Sequence, residues 1–232
     1  VILENGEIIP YTKAIVAPGI DFKYDKGYVE GSEEYSPHAY KAGAQTTLLT
    51  EQLQNMKDGG TFIMVAPKNP FRCPPGPYER VSLVAHYLKQ NKPNSKIIIL
   101  DQKNNFSKQG LFQEGWEKLY KDMIDWRSSE FGGKVISVNP KTKVIKTEDG
   151  EIQADVLNYI PEQKAGKLAF DSGLTDGDWC PINTKTFESK LVKDVYVLGD
   201  ASESSPMPKS GFSANSQGKI AALQISRILA KQ

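Results

Sequence analysis

Four segments of the sequence bring together residue types that can do chemistry. The first runs Pro70-Phe71-Arg72-Cys73-Pro74-Pro75-Gly76-Pro77-Tyr78-Glu79-Arg80. It sets a cysteine beside an arginine and just ahead of an amphipathic run. A neighbouring cation and a helix N-terminus both lower a thiol pKa and favour the nucleophilic thiolate. A buried, inert cysteine is the competing reading of Cys73. Glu79, six residues on, is either a general base beside the thiol or a carboxylate that complements the positive end of a helix. The second segment, Val195-Tyr196-Val197-Leu198-Gly199-Asp200, delivers a glycine and a carboxylate at the end of an apolar run. Gly199 would let a ligand approach the backbone, and Asp200 could accept from ligand hydroxyls. The third, Ala17-Pro18-Gly19, closes another short apolar run in the same manner. In the fourth, Met207-Pro208-Lys209-Ser210-Gly211-Phe212-Ser213, small and capping residues open a helix whose free N–H groups would attract an anion, with Lys209 adding to the field.

The elements that must position these residues follow from periodicity. Val1 to Ile9 reads as two short strands around the Asn5-Gly6 turn, and Lys13 to Val16 as a third that ends before Pro18-Gly19. Val144 to Pro161 repeats that order around Asp149-Gly150, so the chain reads as two related units about 140 residues apart. Between them strand and helix alternate. A helix is expected over Ala39 to Met56, a strand over Thr61 to Ala66, a helix over Tyr78 to Gln90 and a strand over Lys96 to Leu100. Phe112, Trp116, Leu119, Met123 and Trp126 mark one further helix face. That grammar predicts an α/β fold, a parallel sheet with crossover helices plus a β-hairpin meander. The βα junction at Cys73 lacks the glycines that cradle a dinucleotide pyrophosphate. Its prolines remove backbone donors, so nicotinamide binding is disfavoured even though Asp101 stands where a ribose-binding acid would lie.

Composition narrows the function classes. The chain has 232 residues, 39% of them hydrophobic and 25% charged, with a formal charge of +1. No basic field argues for nucleic acid, and no apolar run approaches the ~20 residues of a transmembrane segment. Two cysteines supply neither a disulfide framework nor a structural zinc site. His38 and His86 carry no ligand spacing and read as exposed or partly packed. Cys180 is the other thiol, and its spacing from Cys73 leaves open whether the two meet.

The Cys73 segment, the run Lys185-Thr186-Phe187-Glu188-Ser189, and Gly199-Asp200-Ala201 through Pro206-Met207-Pro208-Lys209-Ser210-Gly211 to Lys219 together resemble the flavoprotein subunit of flavocytochrome c sulfide dehydrogenase. Sulfide:quinone oxidoreductases are more distant relatives. The resemblance implies a Rossmann-like FAD/NAD(P)-binding fold, incomplete at the N-terminus. Residues 1–26 would be the tail of a first FAD-binding segment, 27–162 a nicotinamide-type domain without the nicotinamide fingerprint, and 163–232 the returning FAD-binding segment. It implies FAD as cofactor, sulfide as substrate, a c-type cytochrome subunit as partner and a periplasmic location. Cys73 matches the redox-active cysteine and Glu79 the active-site glutamate. Asp200, preceded by Gly199, matches the flavin-binding aspartate; Lys209, Ser210 and Gly211 match the segment facing the flavin ring. Pro18 and Gly19 belong to the first flavin segment. The glycine-rich fingerprint and the partner of the redox cysteine would lie before Val1 and beyond Gln232, so the chain reads as an interior piece. A quinone-reducing or nicotinamide-dependent flavin disulfide reductase and an inactive interaction domain are the rival readings.

Overall fold

The computed structural model describes residues 1–230; the end of the last expected segment, at Lys231 and Gln232, lies outside them. The chain forms two compact units, and each is built from separated pieces. The larger comprises Phe22–Asn69 and Pro74–Glu162. The smaller comprises Val1–Asp21, Pro70–Cys73 and the residues from Gln163 onward.

The larger unit is organised by four parallel strands in the order Ile124–Arg127, Lys96–Asp101, Thr61–Ala66, Val156–Tyr159. Side chains alternate across a strand, and here both faces are apolar. Phe62, Met64, Ala66, Ile97 and Ile99 enter one core with Tyr78, Val81, Val84, Ala85 and Leu88 of helix Gly76–Asn91. Ile63, Val65 and Leu100 enter a second core on the opposite face. That core is closed by an antiparallel meander, Val135–Asn139, Val144–Thr147 and Gly150–Gln153. The meander turn uses Gly150 at φ +127°, a conformation that favours glycine.

Helix Gly76–Asn91 begins with Pro77 in its first turn, where a fixed φ and a missing donor cost nothing. Glu79 lies in that turn and Lys89 in the last, each matched to the helix dipole. The helix stops at Lys92 because Pro93 disfavours helical backbone in the residue before it. The Lys92 ammonium then turns back to donate to the carbonyls of Leu53, Gln54 and Met56, the open C-terminal end of helix Ala44–Asn55.

Three local expectations are corrected. The first helix spans Ala44–Asn55 and does not start at Ala39, because Ala39 and Gly43 both take positive φ (51° and 101°). Trp126 is not on the helix face of Trp116. Helix Gln109–Tyr120 ends before it, and Trp126 lies on strand Ile124–Arg127. His38 is fully buried, stacked against Phe22 at 4.2 Å, whereas His86 is exposed as expected.

In the smaller unit the Asn5-Gly6 turn forms with a single bridge between Ile2 and Ile8. Strand Ala14–Val16 pairs in parallel with Val195–Val197, and Cys180–Pro181 with Ser202–Glu203. Helix Gly211–Leu229 supplies Ala221 to a core that also holds Trp179, Cys180, Phe187 and Tyr196.

Candidate active site

Cys73 is an exposed thiol. Its backbone is held at φ 57°, a left-handed conformation costing roughly 1–2 kcal/mol for a residue with a side chain. Two hydrogen bonds in the smaller unit hold it there. The Cys73 N–H donates to the Lys209 carbonyl at 2.8 Å, and the Arg72 N–H donates to Gln163 Oε1 at 2.7 Å. Pro70, Pro74 and Pro75 have no N–H, and the Arg72 and Cys73 donors are used within the protein. The junction therefore presents a thiol where a dinucleotide-binding turn would present amides.

The strand Val195–Val197 leads through Leu198 to Gly199, which turns at φ +72°. A side chain at Gly199 would meet Ala214 Cβ at 3.6 Å. The Gly199 N–H donates to Gln217 Oε1 at 2.7 Å, so the fully buried Gln217 locks the turn to helix Gly211–Leu229. Asp200 follows, and among the described residues no side chain hydrogen-bonds its carboxylate. Burial pushes its pKa up, while the charges of Arg72 and Lys209 pull it down.

Lys209 points into the protein. Its Nζ donates to the carbonyls of Asp200 (2.6 Å) and Ser202 (3.0 Å), and it stands 3.6 Å over the centre of the Trp179 ring. Burial lowers its pKa to about 8 against the opposing pull of Asp200. Next along the chain, Ser210 caps the helix: its Oγ accepts from Ser213 N–H at 3.2 Å. Cys180 is buried, and desolvation raises its thiol to about 11 although Lys209 opposes the shift. No disulfide joins the two cysteines.

The structure thus gathers Cys73, Gly199, Asp200, Lys209, Ser210 and Gly211 within the smaller unit. Pro18 and Gly19 also lie there, and the Gly19 carbonyl accepts from Gly166 N–H at 2.9 Å. A Cβ on Gly166 would sit 2.5 Å from the Pro18 carbonyl oxygen, so that loop is packed backbone to backbone. Glu79 is exposed on the first turn of helix Gly76–Asn91 in the larger unit. Asp101 is fully buried and accepts from Tyr78, Trp126 and Lys103, so it is engaged as a structural acceptor. Gln163 and Gln217 escaped the sequence reading. An isolated glutamine carries no motif, and their partners are 91 and 18 residues away.

Comparison with known proteins adds the family. Residues 46–161, half of the chain, match the family described as sulfide dehydrogenase (flavocytochrome c) flavoprotein chain, central. The chain belongs to this flavoprotein family. Among solved structures, sulfide:quinone oxidoreductase from Aquifex aeolicus superposes with TM-score 0.68 at 17% identity, over 99% of this chain and 57% of that one. A chain of the Tetrahymena thermophila mitochondrial ATP synthase tetramer gives 0.66 at 18% identity, over 100% and 60%. A pyridine nucleotide-disulfide family oxidoreductase from Enterococcus faecalis V583 gives 0.63 at 13% identity, over 92% and 48%. The chain has the Rossmann-like fold of these proteins and spans between about half and three fifths of their length.

Proposed function

We propose that this chain is the part of a flavin-dependent sulfide dehydrogenase that presents the redox cysteine and the ring side of the flavin site. The observation that carries the reading is Cys73: an exposed thiol in a left-handed conformation, pinned by two hydrogen bonds and flanked by prolines that have no N–H. The residues present fit FAD. Asp200 offers a carboxylate with no protein donor among the described residues, and Gly199 keeps the approach to the backbone open. At the start of helix Gly211–Leu229 the Gly211 and Phe212 N–H groups have no acceptor among the described residues, which suits the electron-rich edge of a flavin ring. Pro18 and Gly19 would contribute backbone alone. Bound FAD would supply a two-electron acceptor.

In this reading Cys73 is one half of a disulfide in the complete protein. Hydrosulfide attacks Cys73 Sγ, a new S–S bond forms, the old one breaks, and the partner sulfur leaves as a thiolate carrying the electron pair. Glu79 manages protons, and a c-type cytochrome subunit takes the electrons one at a time. Lys209 acts on the flavin site from behind, by ordering the Asp200–Ser202 turn through its carbonyls. The family resemblance also suggests a periplasmic location, which cell fractionation checks.

Anaerobic mixing tests the reading. The flavin of the complete protein should bleach on adding sulfide, fail to bleach with NADH at a comparable rate, and lose the sulfide response in Cys73→Ser. Rapid reduction by NADH with no response to sulfide would overturn it in favour of a nicotinamide-dependent reductase.

A further inference from the structure

Lys209 touches two parts of the candidate site, one with its main chain and the other with its side chain. Its carbonyl oxygen accepts the Cys73 N–H at 2.8 Å, in the segment where Cys73 is held at φ 57°. Its Nζ donates to the carbonyls of Asp200 at 2.6 Å and Ser202 at 3.0 Å, the two ends of the turn that carries the carboxylate. A lysine head ordinarily reaches water along its flexible stem. This residue is only 9% exposed, and its ammonium stands 3.6 Å over the centre of the Trp179 ring. Burying a charge destabilises a fold unless its donors are matched, so the arrangement calls for a reason. Pro208, before it, has no N–H, and Ser210, after it, caps helix Gly211–Leu229 by accepting from the Ser213 N–H at 3.2 Å. Residue 209 is therefore the point where the cysteine segment, the Asp200–Ser202 turn and the helix start meet, and all of these lie in the smaller unit.

We propose that Lys209 is a positioning residue that ties Cys73 to the Asp200–Ser202 turn, so that the sulfur and the flavin-side carboxylate keep one fixed relation. The role rests on the sulfide reading of Cys73 and deepens it. A left-handed cysteine leaves that conformation once its hold slackens, because the region is disfavoured for a residue with a side chain. The hold is only as firm as the carbonyl that supplies it. Here the carbonyl belongs to a residue whose side chain is anchored by two charge-assisted hydrogen bonds and a ring face, a stronger anchor than neutral bonds provide. Misplacing a reacting group lowers the rate of the step it takes part in more than the affinity for a small substrate.

Lys209→Met in the flavin-loaded protein keeps the stem and removes the ammonium. Three amide protons, followed by site-resolved hydrogen exchange, report on the tie. The Cys73 N–H reads the cysteine, the Gly199 N–H (on Gln217 Oε1) the turn, and the Gly166 N–H (on the Gly19 carbonyl) the rest of the unit. Cys73 and Gly199 should exchange about tenfold faster in the variant, with Gly166 unchanged. Flavin reduction at saturating sulfide should slow about tenfold, while the half-saturating sulfide concentration stays within about twofold. Faster exchange at Gly199 alone would confine Lys209 to the turn and overturn the tie. Equal acceleration of all three amides, the mark of general loosening, would overturn it too. So would a raised half-saturating concentration at an unchanged maximal rate, which would assign Lys209 to sulfide binding. The wild-type protein supplies a second measurement that needs no substitution. Burial lowers the Lys209 pKa to about 8 against the opposing pull of Asp200, Cys180 and Glu203. As the ammonium becomes an amine between about pH 7 and pH 9, its bonds weaken. The ratio of Cys73 to Gly166 exchange, in which the shared hydroxide dependence cancels, should rise about threefold. A constant ratio would overturn the tie. If sulfide fails to reduce the wild-type flavin, the sulfide reading falls, while the exchange series still decides whether Lys209 holds Cys73.

Discussion

Strand Lys96–Asp101 and strand Val195–Val197 are both buried parallel strands with a carboxylate at or just past the carboxyl end. Asp101 is enclosed. Its Oδ2 accepts from the Tyr78 hydroxyl at 2.5 Å and Trp126 Nε1 at 3.0 Å, and its Oδ1 from Lys103 Nζ at 2.6 Å. Tyr78 is itself stacked on Phe106 at 3.7 Å, so aromatic side chains occupy the space beyond that strand end. Asp200 has another kind of surroundings. The residues near it in the chain are Gly199, Ala201, Ser202, Glu203 and Ser204, none of them a cation, and the helix that follows opens with Ser210 and Gly211. Among the described residues no side chain donates to its carboxylate, and the charges of Arg72 and Lys209 act against the effect of burial on its pKa. Two apolar strands ending in an acid thus differ in whether side-chain donors close over the carboxylate.

The comparison breaks most readily at Asp101. All three side-chain donors face its two oxygens, so the NH2 group of an asparagine has no place there and the Lys103 ammonium loses its counter-charge. Asp101→Asn should cost about 3 kcal/mol in urea unfolding, as for a buried ion pair that loses one partner. A loss below 1 kcal/mol would mean that the network is not what closes this strand end.

Lys209 sharpens the contrast from the other side. Its folded pKa, about 8, lies below its ordinary value of 10.5. Between those values the unfolded chain binds more protons than the folded one, so this group makes stability rise with pH from about 8 to about 10.5. Cys180 works in the opposite sense above pH 9, because its pKa is raised from 9.0 to about 11. In Lys209→Met the rise should vanish, a change of about 1–2 kcal/mol between pH 8 and pH 9 relative to wild type. Parallel stability curves for the two proteins across that interval would show the ammonium to be well solvated.

Asp200 should give the smallest change in stability. Asp200→Asn removes a half-buried carboxylate that no side chain donates to, so unfolding should stay within about 1 kcal/mol of wild type. Flavin retention on gel filtration should fall all the same. A variant that unfolds as readily as Asp101→Asn would erase the distinction between the two strand ends.

Much of the larger unit was legible in the sequence. Thr61–Ala66 and Lys96–Asp101 are unbroken apolar runs, and helix Gly76–Asn91 shows its buried face at the spacing of a helical turn. The prolines around Cys73 likewise disfavour a pyrophosphate turn on residue type alone, because a missing N–H is a property of the residue. Short segments were less clear. Trp126 continued a helical spacing by coincidence, and only its pairing between Ile97–Leu100 and Ile124–Arg127 makes it a strand residue. Positive φ at Ala39 and Gly43 delayed the first helix against its apolar pattern.

The site divides in the same way. Residue type alone marked Cys73, Gly199, Asp200 and the Ser210 cap, since a thiol, a flexible turn, a carboxylate and a hydroxyl acceptor each carry their chemistry wherever they stand. Which aspartate is enclosed by side-chain donors, where the Lys209 ammonium points, and that Gln163 accepts the Arg72 N–H were decided by contacts that only the fold brings together. Hydrogen bonding and desolvation depend on what the fold brings within about 3 Å, and the local sequence does not encode that distance.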